Sequence, residues 1–132
     1  MLFRSNLISP SISLLENESL CQIPSHDEIK RTIFEMNNLK APGPDGLPAI
    51  FYKRYWKIVG PAVINAVQSF FSSGIMHSEV NNSLIVLIPK SNSPSSVNHF
   101  RPISLCNTVY KTIAKLLVSR LRPLLVNLIS PC

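Results

Sequence analysis

The segment that decides the fold is LIVLIPK at residues 84–90, followed after a polar loop by HFRPISL at residues 99–105. The first run is too short for a helix and is rich in β-branched side chains, so it predicts a buried strand that ends at Pro89 and Lys90. The second run predicts the returning strand. Together the two runs predict a short antiparallel hairpin.

The hairpin brings two cations together. In the simplest register across the loop, Lys90 lies opposite His99 and Ile88 lies opposite Arg101. Lys90 and Arg101 are then diagonal neighbours on one face, so their long side chains can converge on one anion. Arginine suits two-pronged contacts to oxygen and lysine acts as a point charge on phosphate. The alternative is a pair of edge cations that only discourages aggregation.

Helical patterns precede the hairpin. Ser25 and Glu28 form a capping box in which the Glu28 carboxylate returns to the Ser25 amide, and it predicts a helix from His26 to Lys40. A second helix is predicted over Pro48–Val59. Gly60 and Pro61 should stop that helix and start a third, which runs to about Ser73 and is closed by Gly74.

Between the first two helices, APGPDG at residues 41–46 predicts consecutive turns, because two prolines lack N–H groups and two glycines tolerate unusual backbone angles. Pro42-Gly43 suits the centre of a type II turn and Pro44-Asp45 that of a type I turn.

A last helix follows the hairpin. Asn107 or Thr108 should cap it, and Pro123 should kink or end it near Arg122. The predicted fold class is therefore α+β, with several helices around a short antiparallel hairpin. Residues 1–24 read as a loosely ordered lead-in and residues 25–132 as a single domain.

The charge is unevenly distributed. Of the formal charge of +6, none comes from residues 1–79, whereas residues 80–132 hold six Lys and Arg and no Asp or Glu. Such a segment favours a polyanionic partner, with a solvated basic face as the alternative.

Several classes of protein are disfavoured. The three cysteines share no metal or redox spacing, so a disulfide framework and a zinc site are unsupported and an intracellular location, nucleus or cytoplasm, is the default. No apolar run is long enough to cross a bilayer, so no membrane partner is expected. No arrangement of nucleophile and base supports hydrolase chemistry.

Three motifs in order carry a family resemblance. KAPGPDG at residues 40–46, LIPK at 87–90 and FRPISLCN at 100–107, followed by Tyr110 and Lys111, resemble the N-terminal part of reverse transcriptases of LINE-type (non-LTR) retrotransposons, particularly plant ones. The resemblance covers roughly residues 25–130.

The resemblance implies a role for each motif. The segment would be the fingers subdomain of a right-handed polymerase whose parent activity is RNA-directed DNA synthesis, with an RNA template, a DNA primer, deoxynucleoside triphosphates and Mg²⁺. Lys90 and Arg101 fall at positions that contact the triphosphate of the incoming nucleotide. The residues expected near the template are Pro42, Gly43, Pro44, Asp45 and Gly46.

The chain also departs from the family. Polymerase chemistry requires metal ions held by carboxylates of the palm, and no Asp or Glu follows Glu79. No residue is therefore assigned a catalytic or metal-binding role, and we expect a fragment, truncated before the palm, that is inactive alone. The alternatives are a non-catalytic nucleic-acid-binding module and a non-functional remnant.

Two weaker candidates complete the list. The run FYKRYWK at residues 51–57 could stack bases, but its pattern puts rings and cations on opposite stripes and favours core packing. Lys111, Lys115 and Arg122 share a helical face and could touch phosphates, or could simply be solvated.

Overall fold

The computed structural model describes residues 12–129, and these residues form six helices and one antiparallel hairpin. The α+β class predicted from the sequence is confirmed. The helices are α1 (Leu14–Cys21), α2 (His26–Phe34), α3 (Ala49–Arg54), α4 (Trp56–Ser73), α5 (Ser78–Asn81) and α6 (Thr108–Leu128). The strands are β1 (Ser83–Pro89) and β2 (Phe100–Cys106), with a 3₁₀ turn at Val97–His99 before β2.

The core lies where α2, α3, α4 and α6 meet. Its most buried side chains, Ile29, Ile33, Val67 and Leu116, are fully enclosed. Ile29 and Ile33 are one helical turn apart, so both lie on the same face of α2. Burying each such side chain stabilises the fold by roughly 1.5–3 kcal/mol, which makes this helical cluster the main source of stability.

The start of α2 agrees with only half of the predicted capping box. The Ser25 hydroxyl accepts a hydrogen bond from the Glu28 amide at 3.2 Å, as predicted. The Glu28 carboxylate, however, accepts two hydrogen bonds from the Arg120 guanidinium of α6, at 3.2 and 3.0 Å. A two-pronged bond between charged groups outcompetes the local bond to the backbone, and it ties α2 to α6.

The end of α2 was predicted wrongly. The helix ends at Phe34, not at Lys40. The side chain of Asn37 accepts a hydrogen bond from the Leu39 amide at 3.0 Å, a local bond that competes with continued helix. The segment after Phe34 is thereby free to turn back towards α6.

The break between the middle helices was also predicted in the wrong place. The chain leaves helical geometry at Tyr55, where φ is −105° and ψ is 22°, and α4 then runs through Pro61 to Ser73. Because Pro61 lies in the second turn of α4, its missing N–H removes a single hydrogen bond near the helix start. Gly74 closes α4 with a φ of 71°, as predicted.

The last helix does not end at Pro123. Asn107 occupies its N-cap position and α6 continues through Pro123 to Leu128. In the proposed lead-in, residues 1–11 lie outside the described residues, and α1 occupies much of the remainder with no buried residue. Arg120 donates to the carbonyl oxygens of Leu20 and Gln22, which connects the end of α1 to α6.

Candidate nucleotide-binding hairpin

The hairpin register is the predicted one. Ile88 pairs with Arg101 and Pro89 with Phe100, and the Lys90 amide donates to the His99 carbonyl at 2.8 Å. Side chains of directly paired residues share a face, and residues two apart along a strand return to it. Lys90 and Arg101 therefore lie on the same face of the hairpin, and both are exposed.

The loop that joins the strands is held by its own contacts. The Lys90 ammonium donates to the Asn98 carbonyl at 2.8 Å, and the Ser95 amide donates to His99 Nδ1 at 3.2 Å. One of the three N–H donors of the Lys90 ammonium thus binds within the loop, and the other two can bind an anion. Arg101 supplies a planar guanidinium on the same face.

The prediction that β1 is buried was wrong. Every residue of β1 is exposed, and Ile85 keeps 66% of its surface. A strand rich in aliphatic residues is normally covered on at least one face. Within residues 12–129, the two-stranded sheet stands out from the helices with neither face covered along β1.

The Pro/Gly turn packs against the base of the hairpin. The Gly46 amide donates to the Gly43 carbonyl at 3.0 Å, which confirms a turn centred on Pro44 and Asp45. The type II turn predicted at Pro42 and Gly43 is absent, because within the described residues positive φ occurs at Gly46 and Gly74 but not at Gly43.

Asn107 joins the turn to the hairpin. Its side-chain oxygen accepts from the Asp45 amide at 3.2 Å, and its side-chain nitrogen donates to the Glu79 carbonyl at 2.9 Å. A Cβ on Gly43 would lie 2.3 Å from the Asn107 amide nitrogen, so only glycine fits there. Instead of capping α6, the Asn107 side chain bridges residues far apart in sequence.

Asp45 has a structural role in the same turn. Its carboxylate accepts from the Leu47 amide at 3.0 Å and from the Tyr52 hydroxyl at 3.3 Å. Burial raises the pKa of Tyr52 to about 12, and the nearby Asp45 carboxylate adds to the shift. The Tyr52 hydroxyl is therefore a stable donor that holds the turn against α3.

The three cations predicted on α6 have different surroundings. Lys111 donates to the Ala41 carbonyl at 2.7 Å, and Lys115 pairs with Glu35 at 3.2 Å. Arg122 lies on the exposed surface. Lys111 and Lys115 thus hold the segment after α2 against α6, while Arg122 stays open to solvent.

A cleft that sequence reasoning missed lies beside Lys111 and Lys115. It has a volume of about 580 Å³ and is also lined by Lys40, Ser104 and Tyr110. Ser104 is an odd number of residues from Arg101 along β2, so the two side chains lie on opposite faces of the hairpin. The cleft is therefore separate from the Lys90 and Arg101 pair. Its prediction would have required knowing that α2 ends at Phe34 and not at Lys40.

The described residues do not fit the metal ions that the resemblance implies. Among residues 12–129, no three His, Cys, Asp or Glu side chains are grouped closely enough to hold a metal ion. The same residues contain no helix with the length and apolar character needed to cross a membrane.

Comparison with known proteins gives one informative match. No family model matches the chain. The chain is 30% identical over 122 residues to the Xenopus laevis protein named "Transposon TX1 uncharacterized 149 kDa protein", and the aligned part is 92% of this chain but 9% of that protein. This similarity supports an origin of the chain in a non-LTR retrotransposon, and the chain spans only a small part of the length of the relative that it matches.

Proposed function

We propose that this chain is the fingers part of a reverse transcriptase from a non-LTR retrotransposon, of the kind found in plants, and that Lys90 and Arg101 bind the triphosphate of the incoming nucleotide. The observation that carries the proposal is the register of the hairpin, which puts both exposed cations on one face. Similarity to a transposon protein and the order of the three motifs support the same assignment.

The chemistry of the pair suits a triphosphate. A guanidinium makes two-pronged contacts to phosphate oxygens, and an ammonium beside it neutralises a second phosphate. Residues 80–132 contain no Asp or Glu side chain to compete with that anion for the two cations. The Pro/Gly turn would lie next to the template, because it is anchored by Asn107 at the base of the same hairpin.

The test is the affinity of the chain for dTTP and for dTMP, measured by isothermal titration calorimetry. We expect dTTP to bind more tightly than dTMP and the Lys90→Gln/Arg101→Gln variant to lose most of that difference. The Arg54→Gln/Lys57→Gln variant removes the same amount of charge from other elements. It should keep the difference in affinity between dTTP and dTMP. Equal affinity for dTTP and dTMP, or equal losses in both variants, would contradict the proposal.

The second candidate is a non-catalytic nucleic-acid-binding module, which the acid-free segment after Glu79 favours. In that case the hairpin cations would bind RNA and not a nucleotide. Salt-dependent RNA binding that weakens in Lys90→Ala and Arg101→Ala variants, with no preference for dTTP over dTMP, would favour it.

A further inference from the structure

A second basic surface lies on the helices and uses none of the hairpin residues. It is a groove of about 480 Å³ between the end of α2 and the junction of α3 and α4. Four cations line it, namely Lys30, Lys53, Arg54 and Lys57. Among the described residues no carboxylate lines it, although residues 1–79 as a whole hold as many acids as bases.

The groove exists because the chain breaks at Tyr55. An unbroken helix over residues 48–59 would put all its rings on one stripe against the core, with the cations opposite. With the break, Phe51 and Trp56 still pack against the core, but Tyr55 is 45% exposed, although its ring also contacts Phe51 with ring centroids 5.2 Å apart. Tyr55 thus keeps exposed aromatic surface beside Arg54 and Lys57.

Two more rings extend this aromatic surface. Phe34, at the end of α2, is 43% exposed and meets Trp56 edge to face, with ring centroids 6.0 Å apart. The Lys30 ammonium lies 5.7 Å from the centre of the Phe34 ring. Rings and cations therefore line the same groove.

The cations of the groove are available to a ligand. Lys53 donates to the Met36 carbonyl and to Asn38, each at 2.6 Å, so the position of its charge is fixed. Arg54 and Lys57 are exposed and line the same groove. In residues 12–129 the ion pairs involve Lys115 and Arg120, and neither reaches this surface.

We propose that this groove binds single-stranded nucleic acid. Cations along a groove follow a phosphodiester backbone, and exposed rings stack on bases of any sequence. An acidic peptide would satisfy the cations but would make no use of the exposed aromatic surface of Tyr55 and Phe34. The proposal is independent of triphosphate binding by Lys90 and Arg101, because those residues lie on the hairpin.

The test uses the full chain and a fluorescein-labelled 12-nucleotide RNA of mixed sequence. Fluorescence anisotropy gives the dissociation constant at several salt concentrations. Because Trp56 is the only tryptophan and lines the groove, its own fluorescence reports binding at this place. We expect the unlabelled RNA to quench Trp56 as it saturates the site.

The variants compare two pairs of cations. Arg54→Gln/Lys57→Gln should weaken binding about tenfold and lower the salt slope by about 1.4, since each phosphate contact on a single strand contributes about 0.7. Arg31→Gln/Lys40→Gln removes the same charge at exposed side chains outside the groove and should change neither value. Tyr55→Leu should weaken binding several-fold, as stacking is lost, with the salt slope unchanged.

Circular dichroism should show native helix content in all three variants, because the replaced side chains are exposed. If Arg54→Gln/Lys57→Gln unfolds the chain, Lys30→Gln takes its place and should halve the change in slope. The proposal is wrong if both double variants weaken binding equally, if RNA leaves Trp56 fluorescence unchanged, or if poly-glutamate binds as tightly as the RNA.

Discussion

Gly43 and Asn107 determine how the Pro/Gly turn meets the hairpin. The two residues approach so closely that a side chain at position 43 would overlap both the backbone and the side chain of Asn107. The side-chain oxygen of Asn107 in turn accepts from the Asp45 amide, and its side-chain nitrogen donates to the Glu79 carbonyl. The turn is therefore fixed by contact with a residue more than sixty positions away, not by local backbone preference alone.

We expect Gly43→Ala to destabilise the chain by about 3 kcal/mol, because a Cβ 2.3 Å from Asn107 forces the turn away from α6. Gly46→Ala is the matched control, since its Cβ would meet nothing within 4 Å and only its φ of 69° is unfavourable, at about 1 kcal/mol. Urea denaturation measures both values. Equal losses in the two variants would contradict the close approach to Asn107 as the reason that position 43 needs glycine.

The bond between Tyr52 and Asp45 predicts a dependence on pH. Because burial and Asp45 raise the pKa of Tyr52 from 10.0 to about 12, the unfolded chain releases this proton first as the pH rises. The stability that the protonated hydroxyl provides is complete below about pH 10 and is lost between about pH 10 and 12. We expect the difference in stability between wild type and Tyr52→Phe to shrink across that range in urea titrations. A difference independent of pH would contradict the raised pKa.

At the scale of elements, α6 organises the fold, and Arg120 is its main polar contact. The guanidinium binds the Glu28 carboxylate of α2 and the carbonyls at the end of α1, and it lies 5.2 Å from the centre of the Phe71 ring on α4. Only 13% of this side chain is exposed, so the bond to Glu28 is poorly screened by water. One residue thus joins α6 to three other elements.

We expect Arg120→Met to cost about 3 kcal/mol of stability, since the Glu28 carboxylate loses its partner in a partly buried position. Arg122→Met is the control two residues along the same helix, where the side chain is exposed, and it should change stability by less than about 0.5 kcal/mol. Thermal denaturation followed by circular dichroism gives both numbers. Similar losses would mean that α6 responds to any loss of positive charge.

The elements that the sequence predicted correctly have local signals. The start of α2 at His26, the closure of α4 at Gly74 and the hairpin register all follow from capping residues, a glycine and strand alternation. The errors arise where tertiary contact overrides a local rule. Pro61 and Pro123 both lie inside helices, because packing of α4 and α6 against the core outweighs the loss of a hydrogen bond.

The candidate sites show the same division. The pairing of Lys90 and Arg101 on one face could be predicted because register follows from loop length and alternation. The groove around Tyr55 could not, because it depends on a helix break that no proline or glycine marks. The bridging role of Asn107 could not be predicted from the sequence either, because its hydrogen-bond partners are distant along the chain.

At the scale of the whole molecule, exposed aliphatic side chains and basic charge lie on the same part of the chain. The helices form a closed core, while β1 and the second half of α6 leave large aliphatic side chains exposed, among them Leu87 and Val126. Exposed apolar area of this extent is typical of surfaces that contact another protein segment. The basic charge is carried on the same part of the chain, residues 80–132.

We expect the purified 132-residue chain to lack polymerase activity. Residues 80–132 contain no Asp or Glu, and residues 12–129 hold no group of three His, Cys, Asp or Glu side chains close enough to hold a metal ion, so the described residues offer no ligand set for two-metal phosphoryl transfer. A primer-extension assay with Mg²⁺, RNA template and all four deoxynucleoside triphosphates is the measurement. Template-dependent extension by the pure chain would overturn this expectation.

The central claim, that the hairpin binds a triphosphate through Lys90 and Arg101, is tested most directly by photocrosslinking. A deoxynucleoside triphosphate with an azidoanilide on its γ-phosphate is irradiated with the chain, and the labelled peptide is identified by mass spectrometry. We predict that the label lies within residues 83–106 and that Lys90→Gln/Arg101→Gln abolishes it, while excess unlabelled dTTP competes. Labelling of residues 30–58 instead, or labelling unchanged in the variant, would contradict the claim.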